Sequence, residues 1–423
     1  MKAGYKMTEL GELPEEWDIS ALGEVGTFYK GKGISKSELS ETGIPCVRYG
    51  EIYTKHDFVI KKFHSFVSRE IADKSFRIEK GDLLFAGSGE TIDDIGKAVL
   101  FNHTIEAFAG GDIIILRIED GFPLYLTYVW NLRGVDIQRR KLGQGSSVIH
   151  IYSKGIASVK IPLPPLPEQE KIARILSTVD RKIEAIGAQI EQARVLKKGL
   201  LQRLLTRGIG HTRFKETALG EVPEAWEVVE LSSFAKCFVG IASSATHAYT
   251  DHGVLLIRNQ NIKSGKIVLD DILMVDKEYE IQHKSKRLRA GDILTVRTGY
   301  PGISAVVPPE LENCQSFTTL IVRRFKEIIT SDFLCYYINS DLGKSFFASG
   351  QAGGAQKNIG AKVLQKMKII IPPLPEQEKI AQILSTADEK IDMLQAKQAA
   401  YRELKKGLMQ QLLTGKIRVS PSP

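Results

Sequence analysis

Cysteine is scarce in this chain of 423 residues: only Cys46, Cys237, Cys314 and Cys335, with no close pair and no metal-ligand spacing. That excludes a disulfide-stapled scaffold, and reduced thiols in the cytoplasm are the simplest reading. Long apolar runs are missing as well. None approaches the roughly 20 residues of a membrane-spanning helix, and the opening MKAGYKMTEL lacks the apolar core of a signal peptide. An intracellular, soluble chain is expected. His247 and His252 have no nearby third ligand, so a surface loop is expected there rather than a metal site. Residues 26–33, GTFYKGKG, nearly spell a phosphate-binding loop, but Gly33 stands where a serine or threonine must hold magnesium.

Charge leans one way. There are 58 basic against 50 acidic side chains, a net charge of +8 that points weakly toward a polyanionic partner. The length is too great for one small core and suits two domains with connecting elements.

What the chain has is a repeat. PPLPEQEKIA occurs at Pro164–Ala173 and again at Pro372–Ala381, followed by ILSTVDRKI at Ile175–Ile183 and ILSTADEKI at Ile383–Ile391. The same spacing of 208 positions carries Leu204-Leu205-Thr206 onto Leu412-Leu413-Thr414. Upstream, TELGELPEEW at Thr8–Trp17 returns as TALGEVPEAW at Thr217–Trp226. Between these anchors the two halves share a rhythm and little sequence. One unit is written twice, with near-identical helical segments and divergent globules.

Each repeated segment reads as a helix. Pro167 and the acids Glu168 and Glu170 suit a first turn, and basic residues gather late, before Gly208. Apolar residues fall at Ile172, Leu176, Val179, Ile183, Ile186 and Ile190, and again at Ile380, Leu384, Ala387, Ile391 and Leu394. Steps of four and three make a heptad seam, with Gln398 and Tyr401 interrupting the second copy. A solitary helix from Glu168 to Thr206, about 58 Å at ~1.5 Å per residue, exposes its stripe to water. Two in one chain most simply bury it against each other, antiparallel, with a globule at either end.

These residues resemble the specificity subunit of type I restriction–modification enzymes. PLPPLPEQEKIARILSTVD, the KKGLLQRLLT ending and the ELGELPEEW entry carry the resemblance, which covers essentially the whole chain. It implies an α+β protein: two target-recognition domains with mixed or antiparallel sheets, separated by two long antiparallel coiled-coil helices with pseudo-two-fold symmetry. The expected boundaries are 1–162 for the first domain, with 1–17 near the helix junction, and 163–208 for the first helical spacer. The second domain follows at 209–370, the second spacer at 371–415 and a tail at 416–423. The resemblance also implies double-stranded DNA as ligand, one half-site per domain. Two modification (methyltransferase) subunits would use S-adenosylmethionine, and restriction (endonuclease and translocase) subunits would use ATP and magnesium, with no cofactor in this chain.

Each globule shows short β-type runs broken by glycine, then a late helix around Pro123–Leu132 and Ser331–Phe347. The polar loops after strands are the candidate DNA-facing parts, because Arg, Asn and Gln can pair with base edges. In the first half they supply Arg48, Tyr49, Lys55, Ser88, Glu90, Gln144, Ser146, Ser147 and His150. In the second they supply Arg258, Asn259, Gln260, Arg297, Thr298, Tyr300, Gln351, Gln356, Lys357 and Asn358. Lys30, Lys32, Lys36, Lys55, Lys263, Lys266 and Lys357 are candidate phosphate contacts. Different residues at equivalent loops predict two different half-sites.

Catalytic motifs are absent. There is no Asn-Pro-Pro-aromatic methyltransferase motif and no nuclease-like cluster of paired acids with a lysine. No catalytic or metal-binding residue is expected. Two rivals remain open at this point: a self-contained methyltransferase or nuclease, and a scaffold for ligands other than DNA. The repeated Pro-Leu-Pro-Glu-Gln-Glu-Lys segments and the exposed helix faces are candidate docking surfaces for partner subunits.

Overall fold

The computed structural model describes residues 3–145, 148–349 and 358–419. It divides into two compact units, Met1–Gly187 with Ala396–Pro423, and Ala188–Gln395.

The first unit is built on two four-stranded sheets. One runs in the order Ala98–Leu100, Leu83–Ala86, Ile113–Ile118, Gly26–Lys30, with every neighbour antiparallel. The other runs Ser65–Val67, Ile44–Val47, Ala107–Ala109, Phe76–Ile78, and its central pair is parallel. The sequence Ile113-Ile114-Ile115-Leu116 is wholly buried because both faces of its sheet are covered. Side chains alternate across a strand, so Ile114 and Leu116 join one core with Leu83 and Phe85, while Ile113 and Ile115 join another with Leu84 and Ala86. The GTFYK of the near phosphate loop is the edge strand Gly26–Lys30.

The second unit repeats the plan. Its antiparallel sheet runs Ala235–Val239, Leu320–Arg324, Ile293–Thr295, Ser304–Val306. Beside it Leu273–Val275, Tyr249–Arg258 and Gln315–Phe317 form a three-stranded sheet whose last pair is parallel. Ile293, Leu320 and Val322 face one core and Leu294 and Ile321 the other. The late helices differ from expectation. In the first unit Pro123–Trp130 is followed by a separate helix, Arg133–Arg140, and in the second the run breaks into Ser331–Asn339 and Asp341–Ser349. Ser340 causes that break: its hydroxyl donates to the Tyr337 carbonyl and accepts from the Gly343 amide, competing with the helical ladder.

The long helices span Leu166–Arg207 and Leu374–Leu412. Inside the first unit the Gln398 amide donates to the Ile183 carbonyl at 3.1 Å and Lys405 pairs with Asp180 at 2.6 Å. Leu412 and Leu413 share a core with Ile172 and Leu176. Inside the second unit Lys197 pairs with Asp388, and Leu204 and Leu205 share a core with Ile380 and Leu384. One residue number rises as its partner's falls, so in each unit the helices pack antiparallel. Of the expected seam, Ile172, Leu176, Ile186, Ile190, Ile380, Leu384, Ile391 and Leu394 are buried, whereas Val179, Ile183 and Ala387 are half-buried. Gln398 does not interrupt the seam. It satisfies its amide on a carbonyl of the facing helix, and Lys405 continues the stripe as a buried polar member.

The repeated acids lock each helix start. Trp17 Nε1 donates to Glu168 at 3.0 Å and Arg418 to the same carboxylate at 2.9 Å. In the second unit Trp226 Nε1 donates to Glu376 at 2.9 Å, and His211 Nε2 lies 2.9 Å from it. The neighbouring glutamines tie the helices to globule loops: Gln169 accepts from the Phe122 amide and Gln377 from the Thr330 amide. Only part of the proposed docking motif therefore remains outside. Glu168, Gln169 and Gln377 are buried, while Leu166, Glu170, Leu374 and Glu378 are exposed.

Candidate nucleic-acid interface

In the second unit the site begins where the strand Ile293–Thr295 runs out. The chain turns through Arg297, Thr298, Gly299 and Tyr300 and re-enters at Gly302, whose amide donates to the Val296 carbonyl. Gly302 has φ of +102° and the Phe347 ring stands 2.5 Å from where a Cβ would sit, so both conformation and space require glycine. A second element arrives from the strand Tyr249–Arg258, which ends in a 3₁₀ turn, Asn259–Asn261. Asn259 ties the two: its Oδ1 accepts from the Arg297 amide at 3.2 Å and its Nδ2 donates to Thr298 Oγ1 at 3.0 Å. A third element is fixed by the bridge between Thr298 and Asn358, next to which the Ile359 amide donates to the Arg297 carbonyl at 3.3 Å.

Arg258, Asn259, Arg297, Thr298, Tyr300 and Asn358 are thus brought together from three distant stretches of sequence. They do not play one role. Asn259 spends its carboxamide inside the protein, and Arg258 donates to the Asp271 carbonyl. Gln260 is exposed, and Tyr300 is 80% exposed. Gln351, Gln356 and Lys357 lie outside the described residues.

The first unit builds the equivalent site with other side chains. Ser88–Gly89 pairs with Ile149–His150, and the Ile151 amide donates to the Gly87 carbonyl. Ser88 Oγ lies 2.9 Å from His150 Nδ1, and Gln144 exchanges both backbone hydrogen bonds with His150. Ser88 is only 2% exposed, so contrary to expectation its hydroxyl positions the histidine rather than facing solvent. Glu90 and Gln144 are exposed. Ser146 and Ser147 lie outside the described residues.

Arg48-Tyr49-Gly50-Glu51 is not the open loop expected. Tyr49–Thr54 is a short helix packed beside Ser88–Gly89, closed at its start by Glu51 accepting from the Arg48 amide at 3.2 Å and at its end by Lys55. Tyr49 packs half-buried on the core and Lys55 is exposed. The missed signal was Glu51 itself, a capping acid three positions after Arg48. Sequence reasoning also missed Arg139, which donates to the carbonyls of Asp93 and Ile95 and so holds the loop after Glu90.

Among the candidate phosphate contacts, Lys266 pairs with Asp392 at 3.1 Å, whereas Lys30, Lys32, Lys36 and Lys263 are exposed. Among the described residues no group of three or more His, Cys, Asp or Glu could hold a metal ion, and no helix is long and apolar enough to cross a membrane. The four cysteines are buried, and burial pushes the thiols of Cys46, Cys237 and Cys335 up to about 12, so they are inert thiols rather than nucleophiles.

Two α+β units, each presenting a loop cluster at the same place on the same scaffold with different side chains, define a two-module recognition protein. The model of the type I restriction modification DNA specificity domain matches residues 14–193 and again 223–400, and the chain belongs to that family of specificity subunits. It is 30% identical over 421 residues to the type I restriction enzyme MjaVIII specificity subunit of Methanocaldococcus jannaschii, covering 96% of this chain and 94% of that one. The fold is similar to the type I restriction–modification S subunit of M. genitalium, with TM-score 0.61, 16% identity and 94% and 96% of the two chains covered. A second similar chain, from a structure concerned with complex assembly and conformational transition of the type I system, gives TM-score 0.57, 16% identity and coverage of 96% and 99%.

Proposed function

We propose that this chain is the non-catalytic DNA-reading subunit of a cytoplasmic type I restriction–modification complex, selecting an asymmetric two-part target with one half-site per unit. The observation that carries this reading is the duplicated site. Gly87, Ser88, Glu90 and His150 in one unit stand where Arg297, Thr298, Tyr300 and Asn358 stand in the other. A common frame with unlike readers suits two unlike half-sites.

In this reading two copies of a modification subunit supply S-adenosylmethionine-dependent adenine methylation, and restriction subunits supply ATP- and magnesium-dependent translocation and cleavage. The twice-repeated exposed Pro-Leu-Pro segments suit two copies of one partner. The test is direct. The purified chain alone should methylate and cleave nothing when given S-adenosylmethionine, ATP, magnesium and duplex DNA, and the reconstituted complex should do both. Duplex binding should weaken steeply with added salt, since each neutralised phosphate releases counterions. Methyl transfer by the isolated chain, or salt-independent binding, would contradict the proposal.

A further inference from the structure

Among the half-buried arginines of the second unit, Arg258 and Arg297 both bury an unsatisfied Nε, but Arg258 still donates from its fork to the Asp271 carbonyl, and Arg297 makes no such bond among the described residues. Arg287 pairs with Glu280, Arg323 with Asp292, and Arg324 donates to Ser331 and the Ile329 carbonyl. The Arg297 guanidinium has no partner among the described residues, and its Nε is out of contact with water and unsatisfied. Burying a donor without an acceptor is costly, so the arrangement is complete only when something else supplies the acceptor. Its backbone is held on both sides, the amide by Asn259 and the carbonyl by Ile359, so the base of the side chain is fixed before any ligand arrives. Beside it project Gln260 and Tyr300, both exposed.

Resting on the reading above, we propose that Arg297 is a specificity-determining residue: its planar fork takes the N7 and O6 acceptors of one guanine in the second unit's half-site. A guanidinium matches that pair of acceptors, which guanine alone presents in the major groove. A phosphate would equally satisfy charge, but the half-buried side chain and the pinned backbone suit a single directed plane rather than a mobile surface charge. The equivalent position of the first unit is Gly87, which has no side chain to offer. The two half-sites therefore differ at this point in kind: the second contains a guanine read by arginine, and the first is read there by Glu90 and the histidine that Ser88 positions.

The experiment uses the reconstituted complex of full-length chain and modification subunits, with Arg297→Ala and Arg297→Lys beside the parent. Methylation mapping should show one guanine of the second half-site relaxed to any base in both variants, with the first half-site unchanged. Replacing that guanine by 7-deazaguanine should weaken binding of the parent about 10- to 100-fold and leave Arg297→Ala indifferent. If Arg297→Lys keeps full specificity while Arg297→Ala weakens all sequences equally, Arg297 touches phosphate and the assignment is wrong. If both variants keep the parental motif and affinity, it is wrong outright. A parent complex that methylates no two-part target would instead overturn the underlying reading.

Discussion

Lys405 Nζ lies 2.6 Å from Asp180 Oδ1, and the same carboxylate accepts from the Tyr128 hydroxyl at 2.6 Å. The second unit repeats the trio with every member displaced by 208 positions: Asp388 accepts from Tyr336 at 3.0 Å and pairs with Lys197. Each trio takes its aspartate from one long helix, its lysine from the other and its tyrosine from the globule. Burial draws the Lys405 ammonium down, and the Asp180 carboxylate opposes that shift. In both units burial pushes the tyrosine hydroxyl up, and the aspartate beside it adds to the effect, so it stays a donor.

Lys405→Met therefore leaves Asp180 without its cation and is expected to cost about 2–4 kcal/mol of stability, with Asp180→Asn in the same range. The double variant should cost less than the two losses added, by about 1–3 kcal/mol, because each single change already removes the shared contact. Urea denaturation of the four proteins measures this, and strict additivity would show that the pair is uncoupled.

His56 gives a pH dependence. It is 7% exposed, its Nε2 has no partner, and burial pushes its pKa down from 6.5 to about 4, with the His64 ring 5.5 Å away adding to the shift. Between these values the unfolded chain binds a proton that the folded chain refuses, so stability is held above pH 6.5 and falls as pH drops toward 4. The full loss is about 3 kcal/mol at ~1.4 kcal/mol per unit. His56→Phe should flatten that slope in urea denaturation at pH 7 and 4.5. An unchanged slope would place the titration elsewhere.

The helices set a length under the proposed function. Inserting four residues near Ala185 and four near Met393 adds about one turn, roughly 5.4 Å, to each. At ~3.4 Å per base step, the gap between methylated half-sites is expected to grow by one or two base pairs. An unaltered gap on methylation mapping would remove the helices from any spacing role.

The repeat made the frame legible. Antiparallel packing of the helices within each unit follows from a heptad stripe that occurs twice, and the repeated Trp17 and Trp226 close the helix starts. Some strands were legible: Leu83–Ala86 lies between Asp82 and Gly87 and Ile113–Leu116 follows Asp112, each apolar on both faces, whereas the edge strand Gly26–Lys30 read only as part of a near phosphate loop. Less was visible in the sites. A strand-end polar residue reads the same whether its side chain faces solvent, as Tyr300 does, or is spent internally, as those of Ser88 and Asn259 are. That choice is made by partners 38 to 62 positions away, which periodicity does not register. Gln398 looked like a break in the stripe for the same reason: the carbonyl that satisfies it lies on the facing helix.

The central claim, that each unit reads its own half-site, is tested most directly by mapping methylated adenines across the genome of a host carrying the complete complex. One map is made with the parent chain and one with a chain in which Glu90 and Gln144 are replaced by alanine. The account predicts a two-part motif with a fixed gap, and a variant map in which only the half-site assigned to the first unit is altered. A continuous motif, or a change spread over both halves, would contradict it.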